Sequence, residues 1–357
     1  PDGVVCPGIH LLSVQFATVT GIPIRTAMLT LVSGVIPLVF IAAFAACAYY
    51  ISESHRTAAV GVVVGAMFVP INNVSVHPVP HASSQAILLL PVVLLCLLLF
   101  LDSEEEGFAL TTPTGALLVF VSAGLLFVHP QEAMTYLAML GGIAILQFLV
   151  RRFRSAHPIA SFRPLYVHTA VIGTLFVGWI RRQGRARSRL NFVLDSLLSQ
   201  DPTVLQETSS RGASLTDLGG SLLELYLKLF GVSTLFILLA GALILAVLIG
   251  VLDQRKRRRN ALLTVLTAAL VFPTFGFVLI FLADQGDHYF RFFGFIMVTV
   301  SLLAVVAITL IADRLERSSG MVGGLFTKQR IWTAMSLLFV AMIALQLATV
   351  HPSPYIY

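Results

Sequence analysis

Gln85-Ala-Ile-Leu-Leu-Leu-Pro-Val-Val-Leu-Leu-Cys-Leu-Leu-Leu-Phe-Leu101 is an uncharged run made almost entirely of Leu and Val beyond its first turn. A bilayer core supplies no water to backbone N–H and C=O groups, so a chain that crosses it does so as a helix of roughly 20 mainly apolar residues. Stretches of the same character recur at Ala27–Ile51, Thr57–Val76, Thr114–Val128, Ala133–Val150, Pro164–Ile180, Leu222–Val251, Ala261–Ala283, Phe293–Ala312 and Ile331–Val350. Together they predict an all-α, polytopic transmembrane bundle of about ten segments forming a single domain over residues 1–357.

Composition agrees with that reading. Apolar residues make up 57% of the 357 positions and charged residues 11%, where a soluble domain carries about 25% charged. The mean hydropathy of +0.91 holds for the whole chain. The net charge of +6 is therefore a topology signal; without a basic soluble domain it predicts no nucleic-acid partner. Cys47 and Cys96 lie inside apolar runs and Cys6 near the start, which is neither a disulfide framework nor a metal spacing. The sequence opens on Pro1-Asp2-Gly3 and stops at Tyr357, and we read it as an excerpt of a longer protein.

Two segments depart from the spanning pattern. Gly8–Thr20 reads as an amphipathic interfacial helix ahead of the first span. Residues 181–221 form the long polar insertion, in which Leu190, Val193, Leu194, Leu197 and Leu198 recur at helical spacing and predict a surface helix over Leu190–Ser199. Asn72, Asn73 and Pro70 make the Thr57–Val76 segment weak, and Pro273 interrupts Ala261–Ala283.

Alternating the loops places Arg56, Arg151, Arg152, Arg154, Arg163, Arg255–Arg259, Arg314, Arg317, Lys328 and Arg330 on one side. The positive-inside rule makes that side cytoplasmic in a multi-pass plasma-membrane protein. The cluster Arg181, Arg182, Arg185, Arg187 and Arg189 falls on the other side, against the rule. Arg255–Arg259 reads as an anchor beside anionic headgroups, and Glu104-Glu105-Glu106 as a solvated loop.

The outer side collects ionisable residues in compact runs at span ends: His77-Pro-Val-Pro-His81, His129-Pro-Gln-Glu132, Asp284-Gln-Gly-Asp287-His288-Tyr-Phe-Arg291 and His351-Pro352. Carboxylates and imidazoles act as general bases or hold divalent metals near neutral pH, and carboxylate oxygens suit Mg²⁺ or Mn²⁺ beside a phosphate. Arginine pairs bidentately with phosphate oxygens. Each run also has a plain reading: His-Pro at a span end is an ordinary interfacial turn, and an Asp-rich edge a solvated loop with internal ion pairs. His168, inside an apolar segment, reads as a buried, hydrogen-bonded packing residue. No phosphate-binding loop, dinucleotide fingerprint, metalloprotease motif or nucleophile elbow is present.

The run His10-Leu-Leu-Ser-Val-Gln-Phe-Ala-Thr-Val-Thr-Gly-Ile before a long apolar helix resembles the region after the first outer loop of GT-C-class glycosyltransferases. The Gly286–Arg291 edge and the terminal His351-Pro-Ser-Pro-Tyr-Ile-Tyr are similar to large archaeal membrane proteins of this type, which include oligosaccharyl and protein mannosyltransferases. The resemblance covers most of the chain in architecture, but only these short stretches in residues. It implies a polyprenyl- or dolichyl-phosphate-linked sugar donor and an acceptor on the outer face, with membrane lipids as further partners. It also implies an acidic motif in a first outer loop, which would lie ahead of residue 1; Asp2 does not take that role.

On that reading Asp284, Asp287 and His288 are the candidate catalytic residues, with Arg291, Arg181, Arg182 and Arg185 as phosphate contacts. His129, Glu132, His77 and His81 would support them. A transporter of a polar or lipid-linked solute stays open through the segments interrupted at Pro70 and Pro273, as does a non-catalytic membrane subunit.

Overall fold

A computed structural model describes residues 7–72, 76, 81–105, 110–184, 187–188, 191, 221–253, 255–282 and 288–318, together with 333–334, 337 and 341. Every regular element among them is helical. In chain order the helices are α1 Gly8–Thr20, α2 Ile24–Ser52, α3 His55–Ile71, α4 Ala82–Leu101 and α5 Pro113–Val128. They continue as α6 Pro130–Phe153, α7 Tyr166–Arg182, α8 Leu222–Leu248, α9 Arg257–Leu282 and α10 His288–Ser318.

Local chemistry sets the boundaries. Ser54 and Thr112 cap α3 and α5 by accepting from the N–H groups of Thr57 and Gly115. Pro113 and Pro130 open α5 and α6, where a missing N–H costs nothing. Gly21, at φ 71°, ends α1 in the left-handed region that glycine enters freely. A π-turn over Leu31–Val35 lies inside α2, an irregularity that hydropathy does not register.

Six helices are long and apolar enough to cross a membrane: α2, α4, α6, Phe230–Leu248 of α8, Arg257–Phe281 of α9 and Arg291–Arg317 of α10. The expected count of about ten is not reached among the described residues. α3, α5 and α7 have 17, 16 and 17 residues, about 24–26 Å at 1.5 Å per residue against a hydrocarbon core of about 30 Å. Most of the Ile331–Val350 segment, of the Leu190–Ser199 surface helix and of the 181–221 insertion lies outside the described residues. α9 runs through Pro273 without interruption, so that break is not present, whereas α3 ends at Ile71, one residue after Pro70, with Asn72 as its C-cap.

α4 and α10 form the centre: 78% of the spanning part of each is buried inside the protein, against 28% for α8. α2, α5, α6 and α10 pack on α4, while α3, α8 and α9 pack on α10. The outer helices instead expose large apolar side chains, among them Leu38, Phe120, Leu238 and Phe275. Water would not tolerate so continuous an apolar surface, and lipid does. Close helix approach uses small residues, as membrane bundles require in place of a hydrophobic driving force. Gly61 and Gly65 of α3 lie against Ala45, Ala48 and Ile41 of α2, and Gly142 of α6 faces the Ala268 carbonyl of α9.

Ion pairs show which connections share an end. Arg56 Nη1 is 3.2 Å from Glu316 Oε2, joining the start of α3 to the end of α10. Arg163 Nη1 is 3.4 Å from Glu105 Oε2, joining the α6–α7 connection to the α4–α5 connection. Arg258 of α9 reaches Glu53 and Asp102, at the ends of α2 and α4. We call this the arginine end. Two expectations are corrected here. Glu105 is not simply solvated: Thr114 Oγ1 donates to it at 2.6 Å, and this and neighbouring hydrogen bonds hold its carboxyl below the usual range. Arg258 is bound within the protein and is no headgroup anchor. His168 is buried as expected, its Nε2 donating to the Gly115 carbonyl at 3.2 Å and its ring against Phe100.

Candidate functional site

At the opposite end, one residue separates α5 from α6. His129 (φ −158°, ψ 121°) closes the first helix and opens the second. Pro130 then starts α6 and puts Glu132 in its first turn, where the positive end of the helix dipole favours a carboxylate. The His-Pro-Gln-Glu spacing thereby returns the Glu132 side chain to its own cap: His129 Nδ1–H donates to Glu132 Oε2. Ser83 Oγ, from the first turn of α4, donates to Oε1. The carboxylate is 1% exposed.

A buried carboxylate survives only when its lone pairs are matched and opposite charge is near. Ser83 and His129 match both oxygens. Arg291, in the first turn of α10, adds attraction to the same carboxylate, and its Nη1 lies 3.5 Å from Gln131 Oε1. Residues from α4, the α5–α6 junction and α10 therefore meet at one point.

The arrangement divides labour in a recognisable way. With Nδ1–H committed to Glu132, the neutral imidazole presents Nε2 as an acceptor, and Nε2 has no partner among the described residues. A carboxylate that fixes the tautomer and steadies the imidazolium is what makes a histidine an effective base. Arg291 stands beside it as a fixed positive charge.

The other expected site residues are placed unevenly. His81 is the exposed N-cap of α4, two residues before Ser83. Arg181 and Arg182 end α7, exposed and without an ion pair among the described residues. His288 opens α10 one turn ahead of Arg291. Asp284, Asp287, Arg185 and His77 lie outside the described residues. Ser83 was missed by sequence reasoning, because a serine two residues ahead of the apolar segment that starts at Gln85 carries no signal of its own.

No group of three His, Cys, Asp or Glu residues able to hold a metal exists among the described residues. Glu132 and His129 are engaged with each other, and Asp284 and Asp287 lie outside the described residues.

Fold and exposed surface together define a multi-spanning α-helical membrane protein. Compared with known proteins, the chain matches no family model, no curated protein and no solved structure.

Proposed function

We propose that the chain is the membrane core of a glycosyltransferase that moves a sugar from a polyprenyl-phosphate donor to an acceptor hydroxyl at the histidine-rich end of the bundle, facing outward. The observation that carries this reading is the Glu132–His129 pair, buried at its carboxylate and open at Nε2, with Arg291 alongside. The similarity of the Gly286–Arg291 edge to GT-C-class enzymes points to the same place, since Arg291 is the residue the two share.

In the proposed step His129 Nε2 takes the acceptor hydroxyl proton as the oxygen attacks the anomeric carbon. The bond from that carbon to the donor phosphate breaks, and its electron pair leaves on the phosphate oxygen. Arg291 offsets the charge that develops there. Glu132 positions His129 and balances the imidazolium, and does not itself touch substrate. Asp284, Asp287 and His288 would complete the edge around the acceptor, with Arg181, Arg182 and Arg185 as outer phosphate contacts. The excess of arginine at the arginine end supports placing that end in the cytoplasm.

The test uses the full-length protein in membranes supplied with a labelled polyprenyl-phosphate sugar and followed for transfer. His129→Ala should abolish transfer at unchanged membrane abundance. Wild-type transfer by that variant would remove the pair from the reaction. Labelled donor that crosses the membrane without being consumed would favour transport instead.

A further inference from the structure

At the arginine end the connections after α6 and after α8 face each other across a cleft of about 670 Å³, far from the Glu132–His129 pair. Arg154 and His157 line one side, and Arg257, Asn260 and Thr264 of α9 line the other. Val247, Leu248 and Leu252 form an apolar wall. Three arginines of this end have carboxylate partners: Arg56 with Glu316, Arg163 with Glu105, and Arg258 with Asp102 and Glu53. Arg154 and Arg257 have no carboxylate partner among the described residues, and they are the two that border the cleft. Asp253, the acid of the connection between α8 and α9, is not part of the lining and accepts from the Arg255 N–H at 3.0 Å.

We propose that this cleft binds the phosphate of an anionic phospholipid headgroup, with the acyl chains lying along α8. Two unneutralised guanidinium groups facing one space repel each other and are relieved by an anion between them. His157 adds a directed donor. Its Nδ1 accepts from the Ile159 N–H at 3.3 Å, which in the neutral ring leaves the proton on Nε2. The first turn of α9 opens at the cleft with Arg257, so the N-terminal dipole acts in the same direction. The apolar wall decides between a lipid and a free ion. It continues along α8, the least buried of the crossing helices, where Leu245 and Leu248 are exposed. A free phosphate has no use for that surface, whereas a phospholipid fills both halves of the site.

The experiment is native mass spectrometry of the purified chain exchanged from vesicles of phosphatidylglycerol or of phosphatidylcholine, with thermal unfolding followed in parallel. The intact protein should retain phosphatidylglycerol and gain thermal stability from it more than from phosphatidylcholine. Arg154→Gln with Arg257→Gln should weaken retention about tenfold or more, the loss expected for two charge-assisted hydrogen bonds. Arg154→Gln alone, at an exposed side chain that holds no element in place, should lose an intermediate part and guards against a folding defect. Arg152→Gln, whose guanidinium stacks on Phe153 and does not line the cleft, should retain phosphatidylglycerol as the unaltered chain does. Equal retention by the double variant and the unaltered chain would overturn the proposal. Stabilisation by inorganic phosphate alone, equal to that by lipid, would show a free-ion site and overturn the lipid assignment.

Discussion

Arg258 grips Asp102 through Nε and Nη2, at 2.7 and 2.6 Å from the same Oδ2, while its Nη1 reaches the Tyr50 carbonyl at 3.0 Å and Glu53 at 2.9 Å. The Tyr50 hydroxyl donates to that same Oδ2 at 3.0 Å and its ring lies under the guanidinium. One side chain from the start of α9 thus fastens the ends of α2 and α4. Hydrogen bonds to charged groups contribute about 1.5–3 kcal/mol each when partly buried. Asp102→Asn and Arg258→Gln should each lower the unfolding temperature in detergent, and the double variant should lose less than the sum of the two. Additive losses would mean the two side chains act independently.

The approach of α6 to α9 gives a sharper contrast. A Cβ at Gly142 would collide with the Ala268 carbonyl oxygen, whereas at Gly141 nothing lies within 4 Å. Gly142→Ala should therefore cost about 1–3 kcal/mol as the helices are forced apart. Gly141→Ala should be neutral or stabilising by about 0.5–1 kcal/mol through helix propensity. Thermal unfolding of the two variants side by side reads the difference, and similar values for both would show that the helices can separate freely.

Glu132 and Arg291 should fail differently if the proposed reaction is right. Glu132→Gln keeps an acceptor for Ser83 but cannot accept from His129 Nδ1–H, so the imidazole loses its tautomer and orientation. The expected result is a fall in kcat of about 10²–10⁴-fold with little change in KM. Arg291→Gln should raise the KM for the polyprenyl-phosphate donor as well, because the phosphate contact acts in the ground state too. Equal effects on both parameters in both variants would point to a purely structural cluster.

His157 gives the arginine end a pH dependence with a definite sign. Burial, helped by the positive Arg154, pulls its pKa below the ordinary value of 6.5. The unfolded chain then takes up a proton before the folded one does as pH falls. Stability is full above about pH 6.5 and declines as pH drops through the folded value, where Nδ1 also stops accepting from Ile159. His157→Gln should flatten the unfolding-temperature profile between about pH 7 and 5. An unchanged profile would assign the acid sensitivity to other groups.

Much of the scaffold was legible because the bilayer leaves so few solutions. Ala82–Leu101 has no alternative to a helix, and the expected Gly8–Thr20 helix is the one observed. Ends were displaced by the caps: Pro130 and His129 start α6 three residues before the hydropathy rises at Ala133. Pro273 was misleading, since a helix packed on neighbours tolerates a proline that a lone segment would not, whereas α3 does end at Ile71, one residue after Pro70. The number of crossings was less legible, because 16- and 17-residue apolar helices satisfy a hydropathy reading without reaching full span length. The His129–Glu132 pair was readable from its spacing at a span end, though not the helix cap it forms. Ser83 was not, for its role exists only once α4 is packed beside α6. The Arg258–Asp102 pair was hidden for the same reason: 156 residues separate partners that only the bundle brings together.

The two ends of α6 test the arrangement in the membrane directly. Gln131 sits beside Arg291 at one end of the helix and Arg154 beside the cleft at the other, with 24 residues of helix from Pro130 to Phe153 between the caps. That length is about 36 Å, enough to span the bilayer core. In intact cells, with Cys6, Cys47 and Cys96 replaced, an impermeant thiol reagent should label Gln131→Cys and spare Arg154→Cys until the membrane is opened. The reverse pattern would keep α6 as a crossing but turn the Glu132–His129 pair to the cytoplasm, and with it the proposed reaction. Labelling of both before lysis would mean that α6 does not cross, and the arginine and histidine ends could not lie on opposite faces.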